Sequence, residues 1–355
     1  MTLPLPLRPN IASLRPYASA RSILKGNDWI FLDANEGPSP AFVQMDALPP
    51  LNRYPDPTAD ALRDAVAGFY SVDRGNLMIG NGSDELIDLC IRTFVRPGRG
   101  VVALQPSYGM YRVSADINGV PFTALPLEDD FSLDSRTILT AAAGADVLFL
   151  CSPNNPTGLT IDRPLIEHIV QRFSGLVVID EAYGEFSDAA GFPSSIDLVR
   201  SGSENLLVMR TFSKAFSAAA IRVGYGVASK SLIDVLLRVK PPYNVNALSQ
   251  SAALALWNDR PAMERRVRDT LSERDRLMRG VENLGCRIFP TCANFFLMKL
   301  PASVSNDEVY ATLRDRYKIV LRKFDDLGKL KNVLRITVGS PQQNNLLLSS
   351  LSSLL

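Results

Sequence analysis

The chain has 355 residues, of which 46% are hydrophobic and 21% charged, a composition typical of a soluble globular protein large enough for more than one domain. Its 38 basic and 37 acidic residues leave a net charge of +1, so charge gives no reason to expect nucleic acid or a membrane surface as a partner. No apolar stretch approaches the roughly 18 residues of a membrane-spanning helix, and the proline-broken N-terminus does not resemble a secretory signal.

The cysteines and the single histidine limit the chemistry further. The 4 cysteines form no CxxC pair and no disulfide framework, so we expect a reducing, cytoplasmic location. The one histidine, His168, lies in an amphipathic segment, and we expect it on a helix surface. With so little histidine, neither a metal site nor a histidine-based catalytic triad is expected.

Along most of the chain, short apolar runs alternate with amphipathic segments. Segments such as 83–94 and 160–173 predict helices. Strands alternating with helices predict an α/β fold, in which helices cover both faces of a mostly parallel sheet. The runs that predict its buried strands are 101–104, 147–150, 176–179, 206–209 and 223–227.

The pattern changes at both ends of the chain. Residues 1–28 contain several prolines and predict an irregular N-terminal arm. Near Lys240-Pro-Pro-Tyr243 the alternation stops, and a long charged helical stretch follows, whose charges we expect on a solvated face. We therefore expect a large domain over 29–250 and a smaller α+β domain over 251–355.

Polar features follow the apolar runs, where α/β sheets place their active sites. They are the asparagine turn Ser152–Gly158, Asp180, and Lys214 within Thr211-Phe-Ser-Lys-Ala-Phe216. A lysine at a strand end can form a Schiff base, and a buried aspartate stays ionised only beside a cation such as a protonated pyridine nitrogen. Together they indicate a pyridoxal 5′-phosphate (PLP) enzyme, although Asp180 could instead cap the turn that follows it.

A glycine turn before a helix predicts the phosphate site. In Met78-Ile-Gly-Asn-Gly-Ser-Asp-Glu85, glycines allow close approach of a ligand, and N–H groups at a helix start bind phosphate. We expect Ser83 to be the N-cap, and such a motif is commonly no more than a helix cap. Ser213 and Arg222 are close enough to Lys214 in sequence to contact the same phosphate.

Further residues would tune the cofactor. Two prolines stiffen the turn that carries Asn154 and Asn155, so one amide can be held at the 3-hydroxyl oxygen of the ring, and Tyr183 could donate a second hydrogen bond there. Lys214 would hold the cofactor covalently and, once displaced by the substrate amine, would shuttle a proton. That role requires a lowered pKa.

The chain resembles the fold-type-I PLP-dependent aminotransferases and, within them, the histidinol-phosphate aminotransferases. The resemblance spans residues from about 17 to 340, nearly the whole chain, and implies a mostly parallel seven-stranded sheet, a smaller domain and a homodimer with shared active sites. The motifs that carry it are Leu32-Asp-Ala-Asn-Glu36, Asn52-Arg-Tyr-Pro-Asp-Pro57, Gly80-Asn-Gly-Ser-Asp-Glu85, Pro106-Ser-Tyr-Gly-Met-Tyr111, Ser152–Gly158, Asp180-Glu-Ala-Tyr183, Thr211–Phe216, Arg222-Val-Gly-Tyr225 and Leu334-Arg-Ile-Thr-Val-Gly339.

The same resemblance implies the site residues. Lys214, Asp180 and Tyr183 would be catalytic. Tyr108 would stack on the pyridine ring, and Tyr54 would reach the cofactor phosphate of the neighbouring subunit. The cofactor would also contact Gly82, Ser83, Asp84, Asn155, Thr211, Ser213 and Arg222, and the substrate would contact Tyr17, Asn35, Asn155, Arg322 and Arg335.

The implied reaction is transamination between histidinol phosphate and 2-oxoglutarate in histidine biosynthesis, with a small-molecule amino donor and a 2-oxo acid acceptor. A phosphate and the carboxylate of glutamate must then use one site, and planar guanidinium groups suit both anions. Arg335 lies within an apolar strand pattern, where a buried arginine needs an anion. An ordinary strand position is the alternative.

Two segments depart from the family pattern. Gly37-Pro38-Ser39 stands where the family more often has Asn-Pro and a glycine, and Ala219-Ala220 stands where Ala-Gly is usual. The first touches the expected substrate loop, so specificity could differ. An aromatic amino acid aminotransferase and a phosphothreonine-type decarboxylase therefore stay open. A PLP-binding regulator would need a DNA-binding domain, for which the roughly 28 preceding residues offer no room.

Overall fold

A computed structural model of the protein describes residues 5–14, 24, 26, 28–38, 43, 49–324 and 328–355. A seven-stranded sheet lies at its centre, which confirms the predicted α/β fold. Its strands, in the order β2-β8-β7-β6-β5-β3-β4, are parallel except for β8, which runs antiparallel to both neighbours. The strands are β2 Leu77–Gly80, β3 Gly100–Gln105, β4 Phe122–Pro126, β5 Ala145–Cys151, β6 Leu176–Asp180, β7 Leu206–Thr211 and β8 Gly224–Ala228.

The central strands are buried along their whole length because both faces of the sheet are covered. In β5, Leu148 and Leu150 pack into one apolar core, whereas Val147 and Phe149 pack into the core on the opposite face. The alternation follows from the two-residue period of a strand. It explains why these strands are continuous apolar runs in the sequence.

Helices cover the two faces of the seven-stranded sheet, and further helices lie in the C-terminal part of the chain. His168 is exposed on its helix, as predicted. In the part of the chain that the structure describes, no helix combines the length and apolar character needed to cross a membrane. The helices are α1 Pro9–Ala12, α2 Asp60–Tyr70, α3 Ser83–Phe94, α4 Met110–Asn118, α5 Ser135–Ala142, α6 Arg163–Arg172, α7 Gly184–Ala189, α8 Ile196–Arg200, α9 Lys230–Val239, α10 Ala247–Asn258, α11 Arg260–Asn283, α12 Asn306–Asp315 and α13 Pro341–Ser352.

The start of α3 differs from the prediction that Ser83 caps it. The N-cap is Gly82, with φ 76°, and Ser83 is the first helical residue. Glycine is needed at the cap because φ is positive and because a Cβ there would lie 2.6 Å from Nη2 of Arg222. Among the described residues, no side chain accepts a hydrogen bond from the first turn of α3, so the amides at this helix start lack a side-chain cap there.

A second, antiparallel sheet lies in the C-terminal part, in the order β12-β13-β10-β9. A separate pair, β1 (Ile30–Phe31) with β11 (Ile319–Val320), brings Leu32 into the apolar core of this part. The boundaries at 28/29 and 250/251 stay predictions. The strands of the second sheet are β9 Arg287–Ile288, β10 Phe295–Lys299, β12 Arg322–Lys323 and β13 Val333–Thr337.

Candidate active site

The carboxyl ends of β5, β6 and β7 lie side by side, and each carries a predicted polar feature. Cys151 pairs with Asp180 across β5 and β6, and Asp180 pairs with Met209 across β6 and β7. The asparagine turn follows Cys151, and Lys214 follows the end of β7. The sheet therefore brings together at one edge groups that are far apart in the sequence.

Lys214 is half-buried at this edge. Its Nζ donates a hydrogen bond to the carbonyl of Ala34 over 2.9 Å and lies 5.8 Å from the centroid of the Tyr183 ring. Burial, and then the positive charge of Arg335, lower the pKa of Lys214 to about 8, although Glu36 acts in the opposite direction. The neutral fraction of the amine near physiological pH is therefore a minority, but it is far larger than for an ordinary lysine, as a nucleophile or base requires.

Asp180 is buried with neutral hydrogen-bond donors. Its Oδ2 accepts from the Tyr111 hydroxyl at 2.7 Å and its Oδ1 from the amide of Ala182 at 3.0 Å. In the described part of the chain no lysine or arginine forms an ion pair with it. Burial raises the pKa of Asp180 to about 6, against the hydrogen bond from Tyr111.

Tyr111 is a site residue that sequence reasoning did not single out. Its fully buried ring stacks on Phe149, with centroids 4.7 Å apart and an interplanar angle of 8°, so its hydroxyl is fixed against Asp180. The available signal was its place in the motif Pro106–Tyr111. The predicted stacking residue, Tyr108, stands edge-on to Tyr111 at 5.7 Å and donates a hydrogen bond to Asp84 Oδ1 at 2.9 Å.

The residues that were predicted to bind the cofactor phosphate lie together at the start of α3. Arg222 places Nη2 at 3.3 Å from Asp84 Oδ2 and Nη1 at 3.5 Å from Ser213 Oγ. The Thr211 hydroxyl donates to Ser213 Oγ at 3.0 Å. A Cβ on Gly224 would lie 2.5 Å from the amide nitrogen of Ser83, so β8 packs directly against the uncapped helix start. Hydroxyls, a guanidinium and helix-start amides thus converge, which is an anion-binding arrangement.

Of the two asparagines in the turn, the structure places one in a structural role. Asn154 is buried and uses its amide fully, since it accepts from Ser107 Oγ at 2.7 Å and donates to Pro106 O and Thr157 Oγ1, both at 3.0 Å. Asn155 is the residue whose side chain reaches another predicted site residue, because its Oδ1 accepts a hydrogen bond from Arg335.

Tyr183 and Asn35 form a buried pair. Asn35 Nδ2 donates to the Tyr183 hydroxyl at 2.8 Å, and Asn35 Oδ1 accepts from the Thr337 hydroxyl at 3.1 Å. Burial raises the pKa of Tyr183. The described contacts of the Asn35 side chain orient Tyr183, and a direct contact of Asn35 with substrate stays a prediction.

The two predicted substrate arginines lie opposite each other in the smaller sheet. Arg322 of β12 pairs in register with Arg335 of β13, so both side chains leave the same face. Arg335 is buried and donates to the carbonyl of Asp33 as well as to Asn155, whereas Arg322 is exposed. Like charges directly across a strand pair repel, and a bound anion between them would relieve that cost.

Some predicted residues are not part of this cluster as described. Tyr54 is 81% exposed, and its described ring contact is a stack on Tyr243 at 4.6 Å. Tyr17 lies outside the described residues, as does Ser39 of the departing segment. Within that segment, a side chain at Gly37 would collide with the hydroxyl of Ser217. Glycine at position 37 therefore has a local steric reason.

Comparison with known proteins agrees with the geometry. The family model "Aminotransferase class I and II" matches residues 30–351. Histidinol-phosphate aminotransferases of Parabacteroides distasonis and Bacteroides thetaiotaomicron are 42% and 41% identical, covering 98% and 97% of this chain and 97% and 96% of their own lengths. A solved structure, a histidinol-phosphate aminotransferase from Sinorhizobium meliloti in complex with pyridoxal-5′-phosphate, has a TM-score of 0.86 at 22% identity, covering 98% of this chain and 97% of its own, and shows the fold alone.

The residues present fit PLP. A buried aspartate that has no basic partner among the described residues suits a protonated pyridine nitrogen, and the helix start with Arg222 suits the phosphate. Lys214, with its lowered pKa, suits the aldehyde carbon. The chain belongs to the aminotransferase class I and II family, and its cofactor is pyridoxal 5′-phosphate.

Proposed function

We propose that this chain is a histidinol-phosphate aminotransferase of histidine biosynthesis, which exchanges the amino group between histidinol phosphate and 2-oxoglutarate. Relatives with that name, about 40% identical over nearly the full length, support the proposal. The observation that carries the substrate assignment is the in-register pair Arg322 and Arg335. Each substrate carries an anion close to its reacting carbon, a phosphate in histidinol phosphate and a carboxylate in glutamate. One guanidinium site can bind both.

The groups of the chain can perform the acid–base work of this reaction. When bound, PLP supplies an electron sink for negative charge at the substrate α-carbon. Lys214 Nζ, with a pKa of about 8, can accept the proton from that carbon and can later donate it again. The Ala34 carbonyl, 2.9 Å away, holds the free amine in place. Asp180, buried against Tyr111, favours a positive charge at the atom that faces it.

Arg335 is oriented before any substrate arrives. The Asn155 side chain and the Asp33 carbonyl accept its hydrogen bonds, so little conformational entropy remains to be lost on binding. The two acceptors belong to different parts of the fold, the turn after β5 and the segment after β1. Arg335 therefore joins the large sheet to the smaller one at the substrate site.

A homodimer with shared active sites is part of the proposal. Tyr54 and Tyr243 form a stacked aromatic pair with exposed fractions of 81% and 42%, and exposed aromatic pairs are typical of surfaces that a partner covers. A second copy covering this pair would bring Tyr54 toward its own cofactor phosphate. We also propose a cytoplasmic location, which the free state of Cys90, Cys151 and Cys286 supports.

The direct test supplies the enzyme with glutamate and one oxo substrate at a time, and measures 2-oxoglutarate. We expect turnover with imidazole-acetol phosphate and, at equal concentration, at least about tenfold less with phenylpyruvate, which lacks the phosphate. A preference for phenylpyruvate would replace the proposal by an aromatic aminotransferase. Carbon dioxide release from O-phosphothreonine without 2-oxoglutarate formation would replace it by a decarboxylase.

A further inference from the structure

The segment 240–244, between α9 and α10, makes contacts that the proposed reaction does not use. Lys240 is buried, and its Nζ donates to Pro57 O at 2.9 Å, Pro241 O at 3.0 Å and Asn244 Oδ1 at 2.8 Å. These bonds account for all three donors of the ammonium group. Because Pro57 ends the motif that contains Tyr54, Lys240 ties segment 240–244 to the Tyr54 loop.

Asn244 carries the connection to the glycine turn. Its Nδ2 donates to Glu85 Oε2 at 2.6 Å and to Ile79 O at 3.3 Å. Glu85 Oε2 also accepts from the amide of Asn81 at 2.6 Å. The carboxylate of Glu85 therefore holds the turn that sets Gly82 at the start of α3. The hydrogen bonds to this carboxylate are of the stronger, charge-assisted kind.

The exposed side of segment 240–244 also contacts the loop of Tyr54. Tyr243 stacks on Tyr54, with ring centroids 4.6 Å apart and an interplanar angle of 16°. Gln250 Nε2 adds a hydrogen bond to Asp56 O at 2.8 Å. The loop of Tyr54 is thus held from two sides, by the tyrosine stack outside and by Lys240 inside.

We propose that Lys240, Asn244 and Glu85 form a positioning relay, which couples the loop of Tyr54 to the phosphate-binding turn at Gly82. The relay would fix two parts of one subunit relative to each other. One is the turn that binds its own cofactor phosphate, and the other is Tyr54, which in the proposed homodimer contacts the cofactor of the partner. The second half of this statement depends on the proposed homodimer, whereas the first does not. A buried ammonium group and a carboxylate joined through one amide are tolerated only while every link is made, so breaking either end disturbs the other.

The experiment titrates the cofactor-free full-length chain with PLP and follows visible absorbance. Lys240→Met and Glu85→Gln should each weaken the affinity about tenfold, the effect of one charged hydrogen bond. The double variant should bind PLP no more weakly than the weaker-binding single variant, because both substitutions interrupt the same relay. Losses that multiply to about a hundredfold, or unchanged affinity in either single variant, would overturn the relay. Lys299→Met, at an exposed strand position, is the matched control and should bind PLP as the parent does.

Two further measurements separate positioning from general damage. Tyr54→Phe should weaken PLP binding in the parent and much less in the Lys240→Met background. An equal factor in both backgrounds would show that Tyr54 and Lys240 act independently, which contradicts the coupling. If Lys240→Met does not fold, Glu85→Gln carries the test, since it keeps the side-chain shape. These titrations contain no amino donor or acceptor, so their outcome is independent of whether histidinol phosphate is the substrate.

Discussion

Two buried aspartates lie on neighbouring strands but at opposite ends of the sheet. They show how a carboxylate with a structural role differs from one in the candidate active site. Asp146, near the start of β5, accepts from Arg96 Nη2 at 2.7 Å and from Arg99 Nε at 3.2 Å. Hydrogen bonds from Arg96 hold the pKa of Asp146 well below its usual range. Asp180, at the end of β6, has neutral donors, and burial raises its pKa to about 6.

Both carboxylates have little exposed surface, but the charge of their partners differs. At the amino edge the protein supplies the cations, so Asp146 completes a structural ion pair. At the carboxyl edge it supplies a tyrosine hydroxyl and an amide, and we propose that a cationic ligand completes the site. A buried acid without a cation is costly for the protein alone, and that cost is typical of functional sites.

The largest effect should come from the amine at the carboxyl edge. Lys214→Ala should lower transamination by roughly 10⁴-fold or more, because it removes both the nucleophile and the proton carrier. Initial rates of 2-oxoglutarate formation measure this. Arg99→Ala, at the amino edge, is the control, and its kcat should stay within about twofold of the parent even though it loses a bond to Asp146. Equal losses in both variants would erase the distinction between the edges.

The arginine pair should show the next largest effect. Arg335→Ala should lower kcat/KM on the order of 10²-fold, because a buried, charge-assisted contact to the substrate anion is lost. Arg322→Ala, at an exposed position, should lose about tenfold or less. Steady-state kinetics with histidinol phosphate measure both, and the order of the two losses would be reversed if Arg322 were the main anion contact.

The smallest effects concern stability, and their signs should be opposite at the two edges. The pKa of Asp180 in the folded chain, about 6, lies above its ordinary 3.8, so its contribution to stability is present in acid and lost as pH rises through about 6. Asp180→Asn should therefore stabilise the cofactor-free chain at pH 7.5 by about 2–3 kcal/mol and have little effect at pH 4.

Asp146 has the opposite linkage, because its pKa in the folded chain is lowered. Its contribution is present above about pH 4 and is lost in stronger acid. Asp146→Asn should destabilise the chain at pH 7.5 by about 1–3 kcal/mol, since it leaves Arg96 and Arg99 without their carboxylate. Urea unfolding at both pH values measures the two variants, and equal signs at pH 7.5 would contradict this interpretation.

The sequence predicted those parts of the structure that depend on local pattern. Buried parallel strands are continuous apolar runs, so most of the central sheet was predictable, as were Asp180 and Lys214 at strand ends. Strands β2 and β4 were missed. Strand β2 is four residues long and runs into the glycine turn, and β4 has no fully buried residue. The prediction for Ser83 was wrong because the N-cap is Gly82, where the positive φ and the nearby Arg222, far along the chain, leave no room for a side chain.

The contacts that orient the site residues could not be predicted from local sequence patterns either, because they join residues that are far apart in the sequence. Tyr111 meets Asp180 across 69 positions, and Lys214 meets the Ala34 carbonyl across 180. Asn35 became visible as the partner of Tyr183 only once the two sheets were placed. Residue types and local motifs predicted the candidate reactive side chains. The partners that orient those side chains became known only from the tertiary structure.

The most direct test of the central claim is the stabilisation that PLP gives to the parent and to Asp180→Asn, measured by thermal unfolding at pH 7.5. Without PLP, Asp180→Asn should unfold at the higher temperature, because it lacks the buried carboxylate. With saturating PLP the parent should gain more than the variant does, since in our proposal only its carboxylate can pair with the cationic ring nitrogen. An equal gain in both proteins, or a parent that is the more stable without PLP, would contradict the account.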